Sequence, residues 1–206
     1  GGAVDGDDLD LTDAQSVAAF AAWYRHTHGE RLDALVNNAG IHLDLRSEWK
    51  TPTLTADGHE IHRRTNYLGT AQLTHLLLPL LLQTATQHGD ARVVNVVSQL
   101  HSKGRNAALF APLEPYNSWR AYGTSKLALV HHVNEIERRY GAQGLHAYSL
   151  HPGAVYTRIA DKGLDGHRLI GLIRKILAPV EAFFLLSPEQ GAQTSVHCAT
   201  APGLPG

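Results

Sequence analysis

In the run AYGTSK (residues 121–126) a tyrosine precedes a lysine by four places. In a helix that spacing sets Tyr122 and Lys126 on one face, about 5–6 Å apart at Cβ. A free phenol titrates near pH ~10, and a neighbouring cation favours its ionised form. A tyrosine so placed can take a proton from an alcohol or return one to a forming alkoxide. Spacing alone fits an exposed tyrosine beside a solvated lysine equally well, so other residues must supply the chemistry. Ser98 ends the β-branched run ARVVNVVS, where its hydroxyl can bond a substrate oxygen or merely cap a turn. Asn66 stands within a helical pattern that asparagine disfavours, and is either exposed there or functional. The turn Asn37-Asn38-Ala39-Gly40 offers amides and close backbone approach to a ligand, or is only a tight connection.

The elements that must hold these residues alternate. LTDAQSVAAFAAWYRHTHG (11–29) reads as a helix capped by Thr12, and RLDALVNNAG (31–40) as a short strand running into a polar turn. Residues 57–86 read as a long helix, bent at Gly69 or Pro79, and ARVVNVVS (91–98) as a buried strand. A helix over 120–140 and a strand over 145–153, closed by Pro152-Gly153, follow. After the amphipathic stretch 167–186, a last helix starts with Ser187 as cap and Pro188 at its first position. This order predicts an α/β fold, a parallel sheet with helices on both faces. Ligands gather at the carboxyl ends of such strands. Asn37 to Gly40, Ser98 and HPGAVYT therefore mark one prospective site.

Composition narrows the function classes. A length of 206 residues suits one domain over 1–206, with no linker to divide it. Eighteen basic residues against nineteen acidic ones give a net charge of −1, which excludes a broad nucleic-acid surface. Cys198 is the sole cysteine, so no internal disulfide forms and a reducing compartment, the cytoplasm, is expected. The apolar run LLLPLLL (76–82) falls short of the ~20 residues that span a bilayer. The sequence contains no methionine, even at position 1, which leads us to expect a fragment of a longer chain.

In combination the motifs say more. Asn37 to Gly40 after a strand, Asn66 in NYLGT, Ser98 in VVNVVS, Tyr122-xxx-Lys126 and His151-Pro152-Gly153 occur in one order that resembles the short-chain dehydrogenase/reductase family. Its retinol dehydrogenase-like branch is the nearest in pattern, through LVNNAGI, NYLGTAQLTHLLLPLL, AYGTSKLA, LHPGAVYT and SPEQGAQTSVHCA. The resemblance runs from about residue 7 to the end. It implies that Tyr122 is the general acid/base and that Lys126 lowers its pKa while holding the nicotinamide ribose. It implies too that Ser98 positions the substrate oxygen and that Asn66 anchors a water in a proton relay. Asn37, Ala39 and Gly40 would line an NADP or NAD cofactor, NADP ahead of NAD, with Asp10 and Leu11 at the adenine. Pro152, Gly153, Val155 and Thr157 would meet the nicotinamide end. The region 158–186 would form a substrate lid, whose Leu169, Ile170, Ile173 and Phe183 suggest a lipophilic alcohol or carbonyl compound.

The sequence also departs from the family. The glycine-rich TGxxxGxG turn, which would seat a pyrophosphate at a helix N-terminus, is absent. The fold class expected is thus a partial Rossmann-like doubly wound parallel sheet, lacking strands 1–3 and the last strand. The strand at 33–36 would then be an unpaired apolar edge, and residues 1–206 alone would fold poorly and bind dinucleotide weakly. Val97 stands where relatives often carry a first serine.

Other classes fare worse. A serine hydrolase needs a GxSxG elbow, which the sequence lacks around Ser98. His59 and His62 in DGHEIH are spaced i, i+3, unlike the i, i+4 pair of a zincin, and read as solvated helix histidines. A catalytically inactive remnant serving as an interaction protein is the alternative function. The 167–186 stretch also allows peripheral membrane contact through Arg168, Arg174 and Lys175.

Overall fold

The segment ARVVNV forms the spine of the sheet. This strand, β2 (Ala91–Val96), is buried at every position, as a β-branched run covered on both faces should be. The structure, a computed structural model, describes residues 3–29, 31–112, 114–153 and 186–204. Among these, β2 lies between β1 (Ala34–Asn37) and β3 (Leu145–Leu150) in a three-stranded sheet. Both neighbours run parallel to it, with Val36 beside Val94 and Val94 beside Tyr148. The parallel α/β arrangement read from the alternation is therefore present. β1 forms an edge of this sheet among the described residues, and Val36 on it is 41% exposed.

Helices cover both faces. Val93 packs with Leu73, Leu77 and Leu81 of α2 (Thr70–His88), Val133 and Ile136 of α3 (Ser118–Tyr140), and Val17 of α1 (Ala14–His28). On the opposite face Val94, Val96 and Leu150 pack against Cys198 and Ala199 of α4 (Pro188–Thr200). Arg92, buried within β2, is kept tolerable by Asp90 and by donation to the Cys198 carbonyl at 3.1 Å. Among the described residues no helix is long and apolar enough to cross a membrane.

Two local readings are corrected. The N-cap of α1 is Asp13, whose carboxylate accepts from the Gln15 amide at 2.9 Å, not Thr12. The Thr12 hydroxyl is committed to Asp10 at 2.7 Å, and a carboxylate suits a helix N-terminus better than a hydroxyl. The long helix expected over 57–86 is not uniform: Arg63–Gly69 is a π-helical turn, and the α-helix runs on from Thr70 to His88. The change falls at Gly69, one of the two positions where a bend was expected. The α4 start is as read, with Pro188 at N1 and a full capping box between Ser187 and Gln190. Of the expected lid, only Leu186 falls within the described residues.

Candidate active site

Helix α3 turns both members of the Tyr-Lys pair inward. Asn117 caps it by accepting from the Arg120 amide at 3.0 Å, and Tyr122, Ser125, Lys126 and Leu129 share its buried face. Tyr122 is 6% exposed and Lys126 4%, which rules out the solvated pair that spacing alone allowed. The Lys126 Nζ donates to the Val96 carbonyl at the end of β2 (2.9 Å) and lies 5.8 Å from the centre of the Tyr122 ring. Burial brings the Lys126 amine down to about 8, so it still carries a proton at neutral pH. Burial also raises the Tyr122 phenol above its ordinary value, and a hydrogen bond with Ser98 draws it part of the way back. The net displacement is upward, with burial outweighing the lowering by Ser98.

Ser98 reaches the phenol because two backbones touch. It follows β2 directly and caps the 3₁₀ turn Gln99–Lys103, accepting from the Leu100 amide at 3.3 Å. A Cβ on Gly123 would stand 2.5 Å from the Leu100 carbonyl oxygen. Only a glycine between Tyr122 and Thr124 lets this turn lie against α3. The third residue of AYGTSK thus has a structural reason of its own.

Asn66, in the π-helical turn, is completely buried. Its Oδ1 accepts from the Ile41 amide (2.8 Å), while Nδ2 donates to the Ile41 carbonyl (2.9 Å) and to Ser125 Oγ (3.0 Å). Both amide protons are therefore spent. The side chain clamps the loop after β1, and any water it held would use the remaining lone pair or the backbone. π-Helical turns of this kind concentrate at functional sites.

The NNAG turn emerges from the carboxyl end of β1 with Asn38 and Ala39 exposed. A Cβ on Gly40 would lie 3.2 Å from both Asn66 Oδ1 and Lys126 Nζ, so bare backbone passes over these two candidate side chains here. Asn37 is turned the other way: its Nδ2 donates to Asn95 Oδ1 (2.9 Å) and Thr74 Oγ1 (3.1 Å) inside the core. Asn37 braces β1 against β2 and α2 and presents no side chain to the cleft. Pro152 and Gly153 follow β3 at the same end of the sheet, Gly153 with a left-handed φ of 87°. Asp10 is exposed, its carboxyl held below the usual range by the Thr12 hydroxyl and amide, and Leu11 beside it is buried. Val155 and Thr157 lie outside the described residues.

Several residues of this site were not read from the sequence. His62, expected to be solvated, is fully buried: Nε2 accepts from the Leu43 amide (2.9 Å) and Nδ1 pairs with Glu60 (2.6 Å). Tyr116 donates to the same Glu60 carboxylate at 3.1 Å. The reading failed because the helical pattern reveals neither the Leu43 amide, on a separate loop, nor Tyr116, which shares Glu60 with His62. His42, passed over altogether, lies flat on the Tyr122 ring. Its place directly after NNAGI was the only signal available, and by itself it carries no chemistry.

The short chain dehydrogenase family matches residues 3–166. Human retinol dehydrogenase 11 is 38% identical over 199 residues, covering 95% of this chain and 56% of that protein. Human dehydrogenase/reductase SDR family member 13 is 35% identical over 201 residues, covering 95% and 48%. The chain spans about half the length of the curated relatives it matches. Among solved structures, an uncharacterized protein from Mycobacterium paratuberculosis superposes with a TM-score of 0.63 at 31% identity, covering 97% of this chain and 59% of that one. The NADPH-bound carbonyl reductase from chicken fatty liver gives 0.53 at 28% identity, covering 73% and 58%.

Proposed function

The chain belongs to the short chain dehydrogenase family, and on that premise we propose that the full-length protein is an NAD(P)-dependent oxidoreductase interconverting a lipophilic alcohol and its carbonyl compound. One observation carries the reading: the Ser98 hydroxyl, the Tyr122 phenol and the Lys126 ammonium meet at the carboxyl ends of β1 and β2, where Ser98 is the side chain that draws the phenol down and Lys126 lies 5.8 Å from its ring. Ser98 holds the substrate oxygen and Tyr122 exchanges a proton with it. A phenol kept protonated by burial suits donation to a forming alkoxide, and the same group takes the proton back in the alcohol direction. Lys126, cationic at neutral pH, stabilises the phenolate left behind. Asn66 fixes the loop that borders both groups.

When bound, a nicotinamide dinucleotide supplies or accepts the hydride. The fit rests on the exposed Ala39 and the bare backbone of Gly40 beside a buried ammonium, together with the left-handed Gly153. Ala39, Gly40 and Lys126 would hold its ribose side, Pro152 and Gly153 its nicotinamide side with Val155 and Thr157, and Asp10 with Leu11 its adenine. Support for a lipophilic substrate comes from relatives named retinol dehydrogenases and from the apolar residues of 167–186. The lone cysteine and the amphipathic 167–186 stretch favour the cytoplasm or the periphery of an intracellular membrane.

Tyr122→Phe in the full-length protein tests the assignment. It should abolish turnover of decanal or retinal with NADPH and NADH while leaving dinucleotide affinity within about twofold. Turnover near that of the wild type would refute it.

A further inference from the structure

We propose that His42 is a positioning residue for the general acid/base: stacked on the Tyr122 ring, it fixes the direction in which the phenol hydroxyl points. The proposal rests on the reading of Tyr122 as the proton-transfer group. The two ring centroids are 4.2 Å apart and the planes differ by 9°, a face-to-face arrangement. Trp119 meets the edge of His42 at 4.7 Å and 84°, and His62 does so at 5.9 Å and 75°. The imidazole is thus held on the phenol by two further aromatic walls. A tyrosine side chain has few internal freedoms, and the one that re-aims its hydroxyl is rotation about Cα–Cβ, because the phenol oxygen lies on the Cβ–Cγ axis. A flat neighbour at this distance blocks that rotation and keeps the hydroxyl on Ser98.

The choice of histidine at this place carries a cost that packing alone does not explain. His42 is 5% exposed, and its Nε2 is buried without a hydrogen-bond partner. A buried polar atom left in this way calls for a reason. The neighbouring backbone shows how the residue is held on the phenol despite that cost. Residue 41 is bonded through both its amide and its carbonyl by Asn66, and the amide of residue 43 donates to His62. Farther along the loop Ser118 donates to the Asp44 carbonyl at 2.7 Å and Trp119 to the Leu45 carbonyl at 2.9 Å. Asp44 and Ser47 adopt left-handed φ values of 54° and 55°, which non-glycine residues rarely take. A loop that accepts two such conformations and is bonded on both sides of residue 42 is built to deliver that residue to one spot. The spot is the face of Tyr122.

Charge state follows from the surroundings. The titratable groups facing His42 are His62 and Tyr122 across the packing and Asp44 on its own loop, with Lys126 near the Tyr122 ring. Burial and His62 hold the imidazole neutral down to about 4. The stack on the phenol is therefore the uncharged one across the physiological range.

Three substitutions in the full-length protein test the proposal, assayed with decanal and NADPH. His42→Leu keeps apolar volume without a ring, His42→Phe keeps the ring without its polar atom, and Tyr122→Phe reports on the underlying reading. His42→Leu should lower kcat roughly tenfold or more, since a small misplacement of a reacting group is costly, with KM and NADPH affinity within about twofold. His42→Phe should recover kcat to within about threefold of the wild type. Equal kcat in the Leu and Phe variants, whether both normal or both impaired, would overturn the positioning role. If Tyr122→Phe stays active, the catalytic reading itself falls. If Tyr122→Phe is dead while His42→Leu is normal, only the positioning inference falls.

Discussion

Replacing Asn66 by alanine should unfasten the loop after β1 from the helix that carries the site. The substitution removes three hydrogen bonds of 2.8, 2.9 and 3.0 Å, two of them to the Ile41 backbone and one to Ser125 Oγ. Each contributes about 1 kcal/mol net, and the stranded Ile41 amide adds a desolvation penalty of roughly 1 kcal/mol because that residue is half-buried. The vacated amide volume adds a small cavity cost at a site with no exposure. The sum is about 4 to 5 kcal/mol, or a Tm lower by about 8–20 °C for a protein of this size or somewhat larger. Asn66→Asp sharpens the test. It keeps an acceptor for the Ile41 amide but aims its second oxygen at the Ile41 carbonyl and at a Ser125 hydroxyl already donating to the Tyr122 carbonyl (2.7 Å). The aspartate is then tolerated only when protonated, so its deficit should grow as pH rises. Calorimetry of the wild type and both variants at pH 5 and pH 8 gives the answer. An alanine variant within 1 °C of the wild type, or an aspartate variant indifferent to pH, would refute the clamp.

Two other perturbations test neighbouring parts. Lys126 titrates at about 8 in the folded protein against 10.5 when free, so below pH 8 the native state holds a buried cation at a cost of about 3 kcal/mol. The folded state binds fewer protons than the unfolded one between those values, and stability should rise with pH across that window. Urea denaturation should find Lys126→Met more stable than the wild type at pH 7, with the advantage shrinking towards pH 10; a constant difference would contradict the assignment. At Gly69, alanine would ordinarily stabilise a helix by about 0.5–1 kcal/mol, but here its Cβ would meet the Leu11 carbonyl oxygen at 2.3 Å. Gly69→Ala should therefore destabilise by roughly 1–3 kcal/mol in the same assay, and a stabilised variant would show that the loop at Leu11 yields.

What the sequence discloses about this site divides along a physical line. Whatever depends on periodicity was legible: the burial of ARVVNV, the common face of Tyr122 and Lys126, and the convergence of three strand ends. Even Ser98 could be placed from its position after a strand. What depends on side chains reaching distant backbone was not. The π-helical turn at Arg63–Gly69 passes for an α-helix in the pattern, because seven residues are too few to separate the two periods. Asn66 was ambiguous for the same reason, since its exposure depends on whether Ile41 lies across from it. His62 was misread as solvated because its partners, the Leu43 amide, Glu60 and through it Tyr116, are assembled only by the fold. These illegible contacts share one destination. Asn66, His62, Ser118 and Trp119 all bond the backbone of residues 41–45, and that segment sets His42 on Tyr122. On the proposed reading the motif residues mark where proton transfer is placed, while an unpatterned loop, held by four side chains from the helical segments around it, would govern how firmly the phenol is aimed. Variation in this loop should accordingly alter turnover more than cofactor affinity, even though it leaves every motif residue intact.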